Sequence, residues 1–321
     1  GYPGGPNVPI DVAIVCYNKF IRSKVLMNTK PGRMWLCDNL IESSNLELDP
    51  YAVLFDGAGS HNPTSQDRAD QGFWFERNNV RVLAKVPQPG FGSDSDIIKI
   101  TGGLTRGHVV GNKIDCLRPD VVEGQVDVFT GGGRLLFALN AMTNTNLHIK
   151  QSGGHGGMQD IQAYKMLRII DNDWTWTTSL AGFWHCPIFF RGSGLSTISG
   201  NTFDINATGR QVTAITCDNI ETNEDSGLGS ASPRHMIIGR NICQLRGRND
   251  HRLLEVQPPS GTGPAAYYSI EGNVIADPSG QSTATASLGA AHRSVIRGNI
   301  SPHSPAWSAG SGSQVDGNIF R

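Results

Sequence analysis

Short apolar runs alternate with polar residues at a period of two along most of the chain, and one pattern punctuates them. An Ile- or Val-like residue is followed two to four positions later by an Asn, usually after Gly or Asp, and an apolar residue comes one or two positions further on. The pattern centres on Asn18, Asn39, Asn79, Asn112, Asn146, Asn172, Asn201, Asn219, Asn241, Asn273, Asn299 and Asn318. Its intervals are 21, 40, 33, 34, 26, 29, 18, 22, 32, 26 and 19 residues. A helical repeat of fixed packing does not tolerate that variation, whereas a small fixed turn joined by loops of free length does.

Each occurrence reads as a short strand, a sharp corner and a second short strand, because Asn is the non-glycine residue that best tolerates the left-handed backbone of a corner. Stacked coils of three such strands make a parallel β-helix, in which each rung buries its apolar side chains against its neighbours. The expected fold is therefore all-β: a single-stranded parallel β-helix of about 10–12 rungs. It forms one domain over 1–321, with 1–12 as an irregular N-terminal segment. The Asn residues are expected to stack into a ladder of side-chain amides, as scaffold and not as catalysts. Cys16, Cys37 and Cys217 fall two residues before a repeat Asn and Cys243 two after. Rungs about 4.8 Å apart leave a Cys16–Cys37 disulfide geometrically open, but buried free thiols are the expectation.

Intervals longer than one rung must leave the solenoid as loops. The stretches 49–71, 85–96 and 117–126, rich in Asp, Ser, Gly and Pro, are expected to do so in successive rungs and to wall a groove suited to a linear polymer. After them come IIKI at 97–100, VDVF at 126–129, MQDIQAY at 158–164, FWHCPIF at 183–189 and LLEV at 253–256, read as strands stacked on one face. Alternation then turns Asp127, Asp160, Gln162 and His185 outward as a polar column. Trp174 and Trp176 share the parity of core positions and are expected inside, which leaves Trp184 as the aromatic platform for a sugar ring.

Composition narrows the function. Lys+Arg 27 against Asp+Glu 28 gives a net charge of -1, no basis for binding nucleic acid or an anionic membrane. Gly 39 and a charged fraction of 17% exclude a coiled coil or helical bundle, and no apolar stretch approaches the roughly 18 residues of a membrane span. Nothing resembles a CxxC pair, so neither zinc nor another metal or cofactor is expected. Gly1 follows no initiator Met or signal-like run, as in a processed or truncated product. The end at VDGNIFR, in mid-repeat, is expected to be covered by a further domain or a neighbouring subunit.

The segment HGGMQDIQAYKMLRIIDNDW, then SLAGFW and STISGNTF, together with the repeated xIxGNxI pattern, resembles the right-handed parallel β-helix superfamily of pectate lyases, polygalacturonases and phage tailspike depolymerases. The resemblance implies a right-handed solenoid that binds and cleaves polysaccharide, outside the cell or on a virion surface, as a homotrimer if tailspike-like. The family's specific motifs are missing: Asn144-Thr145-Asn146 and Gly154-His155-Gly156 stand without an adjacent Asp pair, and Asp94 and Asp96 lie upstream in the wrong order. Generic carboxylate chemistry remains. Carboxyls on adjacent rungs lie about 5 Å apart, the spacing of a retaining glycosidase, and two rungs apart about 10 Å, the wide limit of an inverting one. The expected catalytic residues are Asp127 and Asp160 with His155 as acid or base, and the expected substrate-binding residues are Gln162, Trp184, His185 and Glu255. A noncatalytic structural or adhesive β-helix is the alternative.

Overall fold

The computed structural model describes residues 12–23, 25–28, 33–43, 53–56, 72–83, 96–102, 106–117, 124–130, 134–150, 164–177, 186–191, 194–209, 211–218, 235–257, 267–276, 286–288, 293–302, 307, 310 and 312–320. Thirty-one short strands, numbered in chain order from β1 (Val12–Cys16) to β31 (Ile319–Phe320), make up the regular structure of these residues. They form three sheets of eleven, eleven and nine strands, here called A, B and C, in which every pairing is parallel and joins strands one rung apart. The molecule is a right-handed parallel β-helix. Inward positions of all three sheets share one core, from Val25 through Phe75, Val128 and Ile198 to Ile296. Trp174 and Trp176 are inside it, with Trp174 stacked between Phe137 and Phe203.

The turn from sheet A to sheet B has two residues in each of eleven rungs. Its first residue is left-handed, with φ between 54° and 71° from Tyr17 to Gly317; its second is an Asn. The sequence argument placed the left-handed conformation on the Asn, but the residue before it takes the strain, which explains why Gly so often stands there. The Asn turns its amide into the rung stack. Asn112, for example, donates from its backbone N (3.0 Å) and its Nδ2 (2.9 Å) to Oδ1 of Asn140, and from Nδ2 to the carbonyl of Phe75.

The ladder runs unbroken through Asn18, Asn39, Asn78, Asn112, Asn140, Asn172, Asn201, Asn241, Asn273, Asn299 and Asn318. Three expected members differ. Asn79 opens a sheet B strand, one residue beyond the true member Asn78. Asn146 lies on sheet C, six residues past Asn140, and Asn219 lies outside the described residues.

The cysteines divide. Cys217 and Cys243 are buried thiols as expected, and burial pushes the Cys243 thiol far up, so it is inert. Cys16 and Cys37 do not follow: Ala13 and Val15 take the inward positions of β1, which leaves Cys16 on the outer side. There it faces Cys37 of β4 (Arg33–Cys37) in register, Cα to Cα 4.6 Å, in a disulfide. The same outer face of sheet A carries Trp35 stacked on Trp74, ring centroids 4.2 Å apart and planes within 9°.

Candidate functional site

The A-to-B turn never varies, so chain in excess of a rung enters or leaves elsewhere, at the two corners bordering sheet C. Residues 83–95 separate β8 (Asn79–Val82) from β9 (Asp96–Gly102), and 57–71 separate β6 (Val53–Asp56) from β7 (Gly72–Glu76). Likewise 151–163 separate β15 (Thr145–Lys150) from β16 (Tyr164–Ile170). The stretch 49–71 expected to be one loop is thus interrupted: its VLFD is β6, the sheet C strand of its rung. Asp96 and residues 124–126, placed in loops from sequence, begin β9 and β12 (Gly124–Thr130).

Sheet C also runs in a different order from the one read by eye. IIKI and VDVF are neighbours, on β9 and β12, but the next strand is TNLHIK of β15 and not 158–164. Then come β18 (Ile188–Arg191), β21 (Thr213–Asp218) and β24 (Arg252–Gln257). One register column of this sheet runs Lys99, Asp127, His148, Phe189, Thr216 and Glu255, and because Leu147 and Ile149 are core, alternation puts His148 on the outer side. The place beside Asp127 is therefore taken by Lys99 on one rung and His148 on the other. Asp160, His155, Gln162, Trp184 and His185 lie outside the described residues. Of the expected site residues, Asp127 and Glu255 share this column but stand four rungs apart, about 19 Å.

His148 was missed from sequence because Asn146 was taken for a corner; counting the rung from Asn140 instead puts TNLHIK on sheet C. The imidazole is fully buried although it faces outward, and meets Phe189 edge-on at a centroid distance of 4.7 Å. Phe189 and Thr216 are buried too, so the middle of this outer face is covered. Beside His148 on β15, Asn146 is wholly buried with neither amide atom hydrogen-bonded. Glu255 is half-buried and takes a bond from Arg252 Nη1 at 3.4 Å.

The carboxylates with displaced pKa are held low, by donors on the outer surface. The Arg77 guanidinium clamps Asp38 across two rungs at 2.8 Å on each oxygen. Arg248 does the same for Asp250, and the Ser269 hydroxyl with Arg297 for Glu271. Arg77 and Arg297 staple neighbouring rungs and Arg248 braces its own turn; a carboxylate held anionic in this way is no proton donor. Among the described residues no three His, Cys, Asp or Glu side chains converge as a metal site.

No family model, no curated protein and no solved structure matches this chain.

Proposed function

We propose that the chain is a polysaccharide-binding β-helix that lays a linear glycan against the outer side of sheet C near β9 and β12 and cleaves it, as a glycosidase or a lyase, with Asp127 as the essential carboxylate. One observation carries the reading. Asp127 stands in register between a lysine and a histidine on successive rungs, on the sheet whose two borders take up the excess chain. A lysine, a carboxylate and an imidazole on successive rungs supply between them the kinds of group that proton transfer at a sugar ring needs. His148, being buried, positions; Asp127 acts. The Cys16–Cys37 disulfide supports an oxidising, extracellular or virion-surface setting.

The test is incubation with a panel of bacterial and plant polysaccharides, read by reducing ends and by the ultraviolet absorbance of unsaturated uronates. Asp127→Asn should lose about a hundredfold or more of the cleavage rate at an unchanged melting temperature, since the substitution keeps the size of the side chain. Full activity in this variant moves the chemistry elsewhere. A second reading, a noncatalytic adhesive solenoid, is favoured by the half-exposed indole pair on sheet A, which needs no acid or base to bind; retention of a glycan without cleavage would select it.

A further inference from the structure

The outer side of sheet A holds a second candidate surface, on a different side of the solenoid from Asp127. Trp35 and Trp74 alternate with the core residues of β4 and β7, so both stand on the outside, half-exposed and locked face to face. His108 continues the row on β10 (Arg106–Val110), its ring 5.8 Å from Trp74 and tilted by 47°. The position two residues before Trp74 is Gly72, where a Cβ would come within 2.8 and 2.9 Å of the six-membered ring of Trp74. The indole thus leans over bare backbone, in space that any other residue would fill.

Gly72 also interrupts a column of cations. In register with it on the neighbouring rungs are Arg33 and Arg106, followed by Arg134 on β13 (Arg134–Ala138). All three are exposed. None makes an ion pair or side-chain hydrogen bond among the described residues, whereas Arg77, Arg81, Arg246, Arg248, Arg252 and Arg297 each sit on a carboxylate. A stacked aromatic ledge edged by three guanidiniums without a carboxylate partner among the described residues, on a molecule whose net formal charge is only -1, is a local device.

We propose that this ledge docks a uronate-bearing polysaccharide lying along the solenoid axis. The C–H groups of pyranose rings pack against the outward edges of the stacked indoles, and the sugar carboxylates take bidentate bonds from Arg33, Arg106 and Arg134. The stacked pair is already fixed by packing, so binding freezes little side-chain entropy. Single-stranded nucleic acid, the other polyanion that uses Trp and Arg, fits less well. The two indoles occupy each other's faces and leave no slot for a base between them. The disulfide joining β1 to β4 on the same face also belongs to an oxidising compartment. The proposal does not rest on the sheet C reading.

The experiment is affinity electrophoresis of the full chain through native gels cast with alginate or polygalacturonate, with dextran as the neutral polymer and oligo-dT as the nucleic-acid probe. Retardation is expected in at least one uronate polymer, relieved by salt, and absent with dextran and oligo-dT. The triple variant Arg33→Ala, Arg106→Ala, Arg134→Ala should bind about tenfold more weakly or worse, with its circular dichroism and melting temperature unchanged. Trp35→Ala should weaken binding likewise, and Arg246→Ala, an arginine of sheet B, should bind as the parent does. No retardation by either uronate polymer, equal retardation by dextran, or preference for oligo-dT overturns the proposal. So does undiminished binding by the triple variant, or an equal loss of binding in Arg246→Ala.

Discussion

Adjacent asparagines at 78 and 79 have opposite duties. Oδ1 of Asn78 accepts from both the backbone and the side chain of Asn39, while its own Nδ2 reaches Asn112 and the carbonyl of Leu36. Oδ1 of Asn79 is buried with no partner. Asn78→Ala strands both donors of Asn39 and removes a donor from the carbonyl of Leu36 and from Oδ1 of Asn112, and should cost about 2–4 kcal/mol, whereas Asn79→Ala should cost less than about 1 kcal/mol; urea denaturation of the two variants decides. A parity rule makes this legible without a structure. Two residues past a ladder Asn comes an inward side chain, as with Ile41, Val80, Met142 or Phe203, whereas two past Asn79, Asn146 and Asn219 come Arg81, His148 and Glu221. Tertiary partners are not legible in that way. Trp174 donates its indole N–H to the carbonyl of Thr145 at 3.2 Å, but the indole N–H of Trp176 is buried without an acceptor. Beyond the shared loss of ring volume, Trp174→Phe should therefore be about 1 kcal/mol more destabilising than Trp176→Phe, measured by the same denaturation.

Between strands, the turns at the borders of sheet C are each built differently, and one rests on a histidine. His251, fully buried just before β24, accepts from the amide of Val212 through Nδ1 (3.0 Å) and donates through Nε2 to the carbonyl of Ala207 (2.8 Å). It clasps the corner of the preceding rung in its neutral form. Burial lowers its pKa, against the Ala207 carbonyl and Asp250, which favour the charged ring. The unfolded chain therefore binds the proton more readily than the folded one. The contribution to stability is complete above the unfolded value of about 6.5 and declines as pH falls through it toward the lower folded value. Urea midpoints should drop between about pH 7 and pH 5, and His251→Gln should be weaker at pH 7 with that slope flattened. A slope unchanged by the substitution would assign it to other groups. Sequence could not announce this contact, since it joins residues 39 and 44 positions apart through a turn with no repeat signature. The same irregularity hid β6 inside an apparent loop and concealed His148 as the neighbour of Asp127.

At the scale of the whole molecule, each rung touches only the next, so stability is close to a sum of neighbour terms and the ends open first. The opening rung is less deeply buried than those that follow: its inward Ala13, Val15 and Phe20 are only partly covered. The Cys16–Cys37 bridge, closing 21 residues, ties that rung to the second and is worth about 3 kcal/mol on loop entropy. Reduction should speed amide hydrogen exchange in β1 and in the sheet B strand after it, Lys19–Ile21, and leave the central rungs unchanged. Faster exchange throughout would mean the solenoid unfolds as one unit. The Asn ladder crosses all of these rungs, and each side-chain amide from Asn18 to Asn299 gives an N–H to Oδ1 of the Asn on the higher-numbered rung, while from Asn39 on Nδ2 also reaches back to a carbonyl of the lower one. The amides are electric dipoles in series, which polarise one another and add as peptide dipoles do in a helix. The row is positive toward Asn318 and negative toward Asn18. Removing one amide near the middle divides it into two shorter dipoles, whereas removing one at either end merely shortens it, so equal chemical changes along the row have unequal electrostatic effects.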